Sequence, residues 1–396
     1  MEIELRLALP ASDPVGVVRS LTRIPALAPG LRAQTPGNTW TVRLRDGSAV
    51  EVTLDIDHIL VGDTRASLCE LKLKLLEGKP DALFTLAAQI ASAVATLPLC
   101  ISKAEPVYAL ARNTLHVPSQ AKPPPLTADM PEAVAAQCVL RESFSQFTTN
   151  LNGLAYYDDP ELVHQARVGW RRFKTSLKLF QKLTATHAPA SLQPLRPLLD
   201  AMGALRDLEV ASLETLPMLA NAYTEGNPRR QAHWRAMQQA LALAAEQQRD
   251  TLRDALSDPK IGMTLLAVTR WLEFDLTQLA NAAVSDPKHT LQDWARQHIR
   301  HWHGQMKTAL ANAHDPQSVH RARLLAKRLR YGIETLRPLL PKRRARHWHL
   351  MASKLQSDMG SARDVQQALA IATDLKLAPS LLDFLRGVVV GNKHGT

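Results

Sequence analysis

Val163–Lys174, VHQARVGWRRFK, and Val319–Arg330, VHRARLLAKRLR, are two versions of one segment. His164 aligns with His320, Arg167 with Arg323, Arg171 with Lys327, Arg172 with Arg328 and Lys174 with Arg330, all at one offset. A second match follows at an offset one residue longer, Met202-Gly203-Ala204-Leu205-Arg206-Asp207 against Met359-Gly360-Ser361-Ala362-Arg363-Asp364. Two ordered matches imply a duplicated helical unit, so the expected architecture is two similar helical bundles about a pseudo-twofold axis.

On a helical wheel at about 100° per residue, His164, Arg167, Arg171, Lys174 and Lys178 fall within an arc of roughly 80°. Val163, Ala166, Trp170, Phe173 and Leu177 form an adjacent apolar stripe. The second segment repeats the basic stripe with His320, Arg323, Lys327 and Arg330, and Glu334 takes the slot of Lys178. A solvated helix face mixes signs at neighbouring positions. Here no acid lies between Glu161 and Asp200, or between Asp315 and Glu334. Stacked cations repel by a few tenths of a kcal/mol per pair, and doing so twice makes sense where an anion neutralises them. Arg206 and Arg363, from the matched Arg-Asp segments, join the candidate set. Arg172 and Arg328 point elsewhere on the wheel and are expected to pair with acids such as Asp207 and Asp364. Upstream of the second stripe, Arg296, Arg300, His303 and Lys307 make a further basic face. Lys342, Arg343, Arg344 and Arg346 are expected as a loop cluster after Pro341.

Working outward, residues 113–131 hold five prolines and read as a stiff extended linker. Before it, MEIELRL, TWTVRLRDGSAVEVTLDID and LCELKLKLLEG alternate as strands, with Asp46-Gly47 as a hairpin turn. After it the period is helical almost throughout. The expected division is a small α/β domain (1–112), the linker, and an all-α domain (132–390) with halves at about 132–290 and 291–390. The net charge of +11 is uneven. Residues 1–112 carry 12 basic and 12 acidic side chains, and 113–396 carry 36 and 25, so a polyanion is expected on the helical part.

Composition narrows the class further. The chain is 45 % hydrophobic, which argues against wholesale disorder. Three scattered cysteines, Cys69, Cys100 and Cys138, fit a reducing cytoplasm better than a disulfide framework. The uncharged stretch from Ala82 to Ser102 could be mistaken for a membrane span. Leu83, Leu86, Ile90, Val94 and Leu97 recur at helical spacing among polar residues, which favours a buried amphipathic helix.

The paired motifs, each followed by an Arg-Asp segment, resemble the CHAD domain (conserved histidine α-helical domain). The resemblance implies two four-helix bundles whose basic helices line a positively charged channel, and binding of long-chain inorganic polyphosphate. Some members associate with polyphosphate bodies or polyhydroxyalkanoate granules, so a granule location is an expectation here. The N-terminal part resembles the CYTH domain, the triphosphate tunnel fold. Glu2-Ile3-Glu4-Leu5-Arg6 stands at that family's opening motif, and Ser102-Lys103-Ala104 matches its later pattern. Only about ten residues separate Pro29 from Trp40, where the family inserts several strands. Glu70-Leu71-Lys72-Leu73-Lys74 carries lysines where further carboxylates belong. The resemblance therefore implies a reduced remnant without a closed tunnel or metal site.

Two functions of different class follow. One is a non-catalytic polyphosphate-binding module that needs charge density and no cofactor. The other is a metal-dependent triphosphate hydrolase using Glu2 and Glu4, with Arg6, Arg43, Arg45 and Lys103 as phosphate clamps. Specific nucleic-acid binding explains the charge but lacks an aromatic stacking platform or groove-reading motif.

Overall fold

Alternating side chains build a sheet first. A computed structural model describes residues 4–9, 14–27, 38–61, 64–99, 116–186, 189, 191–283 and 290–394. Strands β1 (Glu4–Leu9), β2 (Asn38–Arg43), β3 (Ala49–Val61), β4 (Thr64–Glu77) and β5 (Leu97–Pro98) form one antiparallel sheet in the order β2-β3-β4-β1-β5. Leu5, Leu7, Val50, Val52, Leu71 and Leu73 all point to one face. There they pack with α1 (Pro14–Leu21) and α2 (Asp81–Ala93). The β2–β3 turn is set by Asp46, whose carboxylate accepts from the Ser48 N–H and hydroxyl, both at 3.0 Å. Gly47 supplies the left-handed φ of 84° that this turn requires. Glu2, Lys103 and Cys100 lie outside the described residues.

Helix α2 is buried as expected, but it stops at Ala93. Val94 is extended, and Leu97, expected on the same helix, pairs with Ala8 in the sheet. Pro98 accounts for Leu97, because the residue before a proline is pushed out of the helical region.

The described part of the linker, residues 116–131, forms no helix or strand and is tied to α3 (Glu132–Leu154). Asn150 binds Ser119 by two hydrogen bonds of 2.9 Å, one to its N–H and one to its carbonyl. Glu142 accepts from the Lys122 N–H at 3.2 Å, and Leu126 is buried.

Helices follow: α4 (Pro160–Leu179), α5 (Gln181–Thr186), α6 (Arg196–Glu209), α7 (Ala220–Thr224), α8 (Pro228–Leu256) and α9 (Pro259–Arg270). Then come α10 (Leu276–Ala282), α11 (Leu291–Ala311), α12 (Pro316–Leu336), α13 (Lys342–Asp374) and α14 (Pro379–His394). A π-helical stretch, Val210–Thr215, continues α6. Lys342, Arg343, Arg344 and Arg346, expected in a loop, instead open the long helix α13. The α3–α4 hairpin is tight because Gly169 faces the Phe147 backbone; a Cβ there would sit 2.7 Å from the Phe147 nitrogen. Phe144, Phe147, Trp170 and Phe173 fill the space beside it.

One apolar cluster runs through α3, α4, α6, α9, α11, α12 and α13, and includes Ala8 and Leu97 of the sheet. A separate cluster joins Trp234, Met237 and Leu241 of α8 to Ala368 and Ala372 of α13 and to Leu381 and Leu385 of α14. The sheet region docks on α9. Leu266 enters the sheet core, Phe84 meets Phe274 edge to face at 5.3 Å, and Asp81 pairs with Arg270 at 2.6 Å. Among the described residues no helix is long and apolar enough to cross a membrane.

Candidate functional site

The two basic helices start by the same chemistry. Asp159 precedes Pro160 and caps α4 by accepting from the Glu161 N–H at 2.8 Å. Asp315 precedes Pro316 and caps α12 in a reciprocal box with Ser318. Proline at the first turn has no N–H to leave unpaired, so each Asp-Pro pair fixes where its helix begins and hence which face each side chain takes. Val163, Ala166, Trp170 and Phe173 are buried as the wheel requires, and Leu177 is half-buried.

The opposite consequence is that cations from four helices meet. Arg167 and Arg171 of α4, Arg323 and Lys327 of α12, and Arg363 of α13 act electrostatically on one another, with Arg206 of α6 beside Arg167. The matched glycines make room for two of them. A Cβ on Gly203 would lie 3.1 Å from Arg167 Nη1, and one on Gly360 would lie 3.9 Å from Arg323 Nη2. A matched arginine thus adjoins a matched glycine in both copies of the motif, and the Met-Gly match in the sequence was its signal. The Nε atoms of Arg167 and Arg323 are buried and without a hydrogen-bond partner.

Crowding of like charge shifts titration. Burial, then Arg171, Arg323, Arg363 and Arg167, pull the Lys327 ammonium down to about 8. Burial and then Arg171 lower Arg167, with Asp207 opposing. Burial and then Arg363 lower Arg323, with Asp364 opposing. His164 is lowered by burial first and Arg206 next. His320 is exposed. Asp207 and Asp364 therefore face Arg167 and Arg323, not Arg172 and Arg328 as the sequence suggested. Arg172 is buried and donates to Gln146 Oε1 at 3.1 Å, while Arg328 lies over the Trp302 ring at 5.8 Å. A wheel gives direction on one helix only; the neighbour that fills that direction is set by packing.

Other candidate cations have acidic partners. Arg206 pairs with Glu214 at 2.6 Å and Glu209 at 3.8 Å, and burial pushes the Glu209 carboxyl up to about 7. These two glutamates were not singled out in the sequence; Glu209 lies three residues from Arg206, which was the available signal. Arg330 pairs with Glu334 at 3.1 Å and lies over Tyr331. Lys174 and Lys178 are exposed on α4.

The α11 face forms a different patch. His303 stacks on Trp348 of α13 at 4.3 Å, Arg344 lies over the same ring, and Arg296 and Arg300 line the adjoining crevice. Arg296 also approaches Asp293 at 3.6 Å, and Lys307 is exposed. On the sheet's polar face, Arg6 pairs with Glu4 and with Glu70, the latter at 3.5 Å, and Lys72 pairs with Asp55. Among the described residues no group of three His, Cys, Asp or Glu side chains is placed to hold a metal.

No curated protein sequence matches the chain. Among solved structures, the crystal structure of the CHAD domain from the plant Ricinus communis is similar, with 24 % identity and a TM-score of 0.60. The match covers 70 % of this chain and 92 % of that one, and at such identity it speaks for the fold alone. The sequence profile of the CHAD domain family matches residues 138–373, more than half of the chain and the stretch that holds both basic helices. The chain belongs to the CHAD domain family.

Proposed function

We propose that the protein binds inorganic polyphosphate without catalysis, between α4 and α12. The observation that carries this reading is the convergence of Arg167, Arg171, Arg323, Lys327 and Arg363 on one another. Guanidinium and ammonium groups held this close raise the free energy of the empty protein. A flexible chain with one negative charge per phosphate relieves that repulsion along its length. The two halves of the domain act as pseudo-symmetric bundles in this reading, each presenting one basic helix to the shared channel. The α11 and α13 patch extends the cationic path.

The sheet region is, in this reading, a reduced triphosphate-tunnel domain that docks and stabilises. Its Arg6 is engaged by Glu4 and Glu70, which disfavours a phosphate-clamping role and with it the hydrolase alternative. Calorimetric titration with long-chain polyphosphate, repeated with duplex DNA as competitor at fixed salt, tests the proposal. Binding that DNA displaces as readily as polyphosphate itself would defeat it.

A further inference from the structure

A cavity lies at the far end of α4. It has a volume of about 320 Å³ and is enclosed by the C-terminal end of α4, the starts of α3 and α5, and the α11–α12 hairpin. That size is near the lower end for small-molecule sites, which run from roughly 300 to 1,000 Å³. Its walls are of two kinds. Leu179 is buried and Trp294 and Trp302 contribute indole surface. Against these stand Lys178, Lys182 and Arg328, none of which forms an ion pair among the described residues.

The cavity takes in Lys178, the last cation of the α4 stripe, but none of the arginines that cluster between α4 and α12 lines it. Arg328 is five positions from Arg323, hence roughly 140° around the helix from the basic stripe. Trp294 is braced by Phe180, with ring centroids 5.1 Å apart, and by His298 at 4.2 Å. Gln305 contacts His301 at 2.9 Å, so the lining amides and imidazoles are ordered by each other. One acid, Glu132, faces the same space, its carboxyl raised by burial and opposed by His298 and Lys182.

This lining does not suit a bare phosphate chain. Apolar walls gain nothing from one, and Glu132 repels it. A ligand with a phosphate for the three cations, a ring-sized body for the Leu179 and indole surfaces, and a hydroxyl or amino group for Glu132 uses every part. We propose that this cavity binds an organic phosphate of nucleotide size, at a site distinct from the polyphosphate channel. The proposal does not depend on polyphosphate binding.

The test is calorimetric titration of the full chain with AMP and with inorganic phosphate, because a single phosphate separates this site from one built for long chains. AMP should bind at least about tenfold more tightly than phosphate, since only AMP fills the apolar space. Lys182 is exposed, so Lys182→Ala should fold normally and weaken AMP about tenfold, the loss of one charge-assisted contact. Arg167→Glu combined with Arg323→Glu should leave AMP binding unchanged. AMP binding no tighter than phosphate, or AMP binding lost with the channel arginines but kept in Lys182→Ala, would overturn the assignment.

Discussion

The polar face of the sheet and the α4–α12 face are both crowded with charge, and they differ in how the signs are placed. On the sheet, cations meet carboxylates: Arg6 has Glu4 and Glu70, and Lys72 has Asp55. Strand register sets Arg6 opposite Lys72 and Asp55 opposite Glu70, so the opposite charges meet on the diagonals of the ladder. Between α4 and α12 the charges that act on Lys327 are four arginines, Arg171, Arg323, Arg363 and Arg167. The first surface is neutralised from within and needs no partner. The second has cations in excess of the two acids that face it, Asp207 and Asp364, and in the proposed reading an outside anion supplies the rest.

Reversing charge in the second region is the strongest way to break this contrast. Arg167→Glu with Arg323→Glu should reduce polyphosphate affinity by about a thousandfold, because two charged contacts are lost and two repulsions gained. Circular dichroism should be unchanged, since Arg171 and Arg363 stand beside the new carboxylates and offset their repulsion from Asp207 and Asp364. Unaltered titration curves for that variant would remove the channel from consideration.

Salt and chain length sharpen the comparison next. If about four phosphates are contacted, raising salt from about 50 to 200 mM should cost roughly a hundredfold in affinity through counterion release. Long chains should bind far more tightly than triphosphate. Equal affinities would point to a compact pocket, and calorimetry over a length series decides between them.

Lys327 gives a smaller effect with a definite sign. Its folded pKa of about 8 lies below the ordinary value of 10.5. Below pH 8 the fold holds it charged at a cost; between 8 and 10.5 the folded form sheds the proton first and that cost fades. Polyphosphate affinity should therefore fall as pH rises through 8, and Lys327→Arg should flatten the profile. Lys327→Met should raise the melting temperature while weakening binding about tenfold, as one charged contact is worth. A melting temperature that drops in Lys327→Met would contradict the crowding argument.

Gly203→Ala should weaken binding only a few-fold, by displacing Arg167 from its 3.1 Å approach, and Gly360→Ala should do less because its clearance is 3.9 Å. The smallest effect belongs to the sheet. Glu4→Gln should leave polyphosphate binding unchanged, and the parent should release no phosphate from triphosphate or ATP with Mg²⁺ or Mn²⁺. Turnover that vanishes in Glu4→Gln would make the sheet a catalytic domain and reverse the comparison.

Part of this architecture is legible in the sequence itself. The apolar stripe through Trp170 and Phe173 and the Asp46-Gly47 turn are local signals, and local geometry obeyed them. What escaped was information held between elements. Nothing in α4 alone says that Arg172 meets Gln146, 26 residues earlier, rather than Asp207. The cavity beside Lys178 gathers residues from three parts of the chain, and Glu132, His298 and Lys182 have no pattern in common. The cationic start of α13 escaped because Pro341 and four basic residues resemble a loop, and only burial of Ala345 and Ala352 reveals the helix.

The cluster that ties α8 to α14 has a consequence for the order of synthesis. Tyr223 bonds to Ser380 at 2.9 Å across 157 residues of chain. When α8 leaves the ribosome, its Trp234, Met237 and Leu241 have no α13 or α14 to cover them. At about 5–20 residues per second, the wait for those helices lasts on the order of ten seconds. During that interval the nascent chain shows a sticky stripe to its surroundings, and a growing polysome carries many copies of it. Chaperone demand during translation, rather than stability of the finished protein, is then where a polar substitution at Trp234 or Leu385 would first be felt.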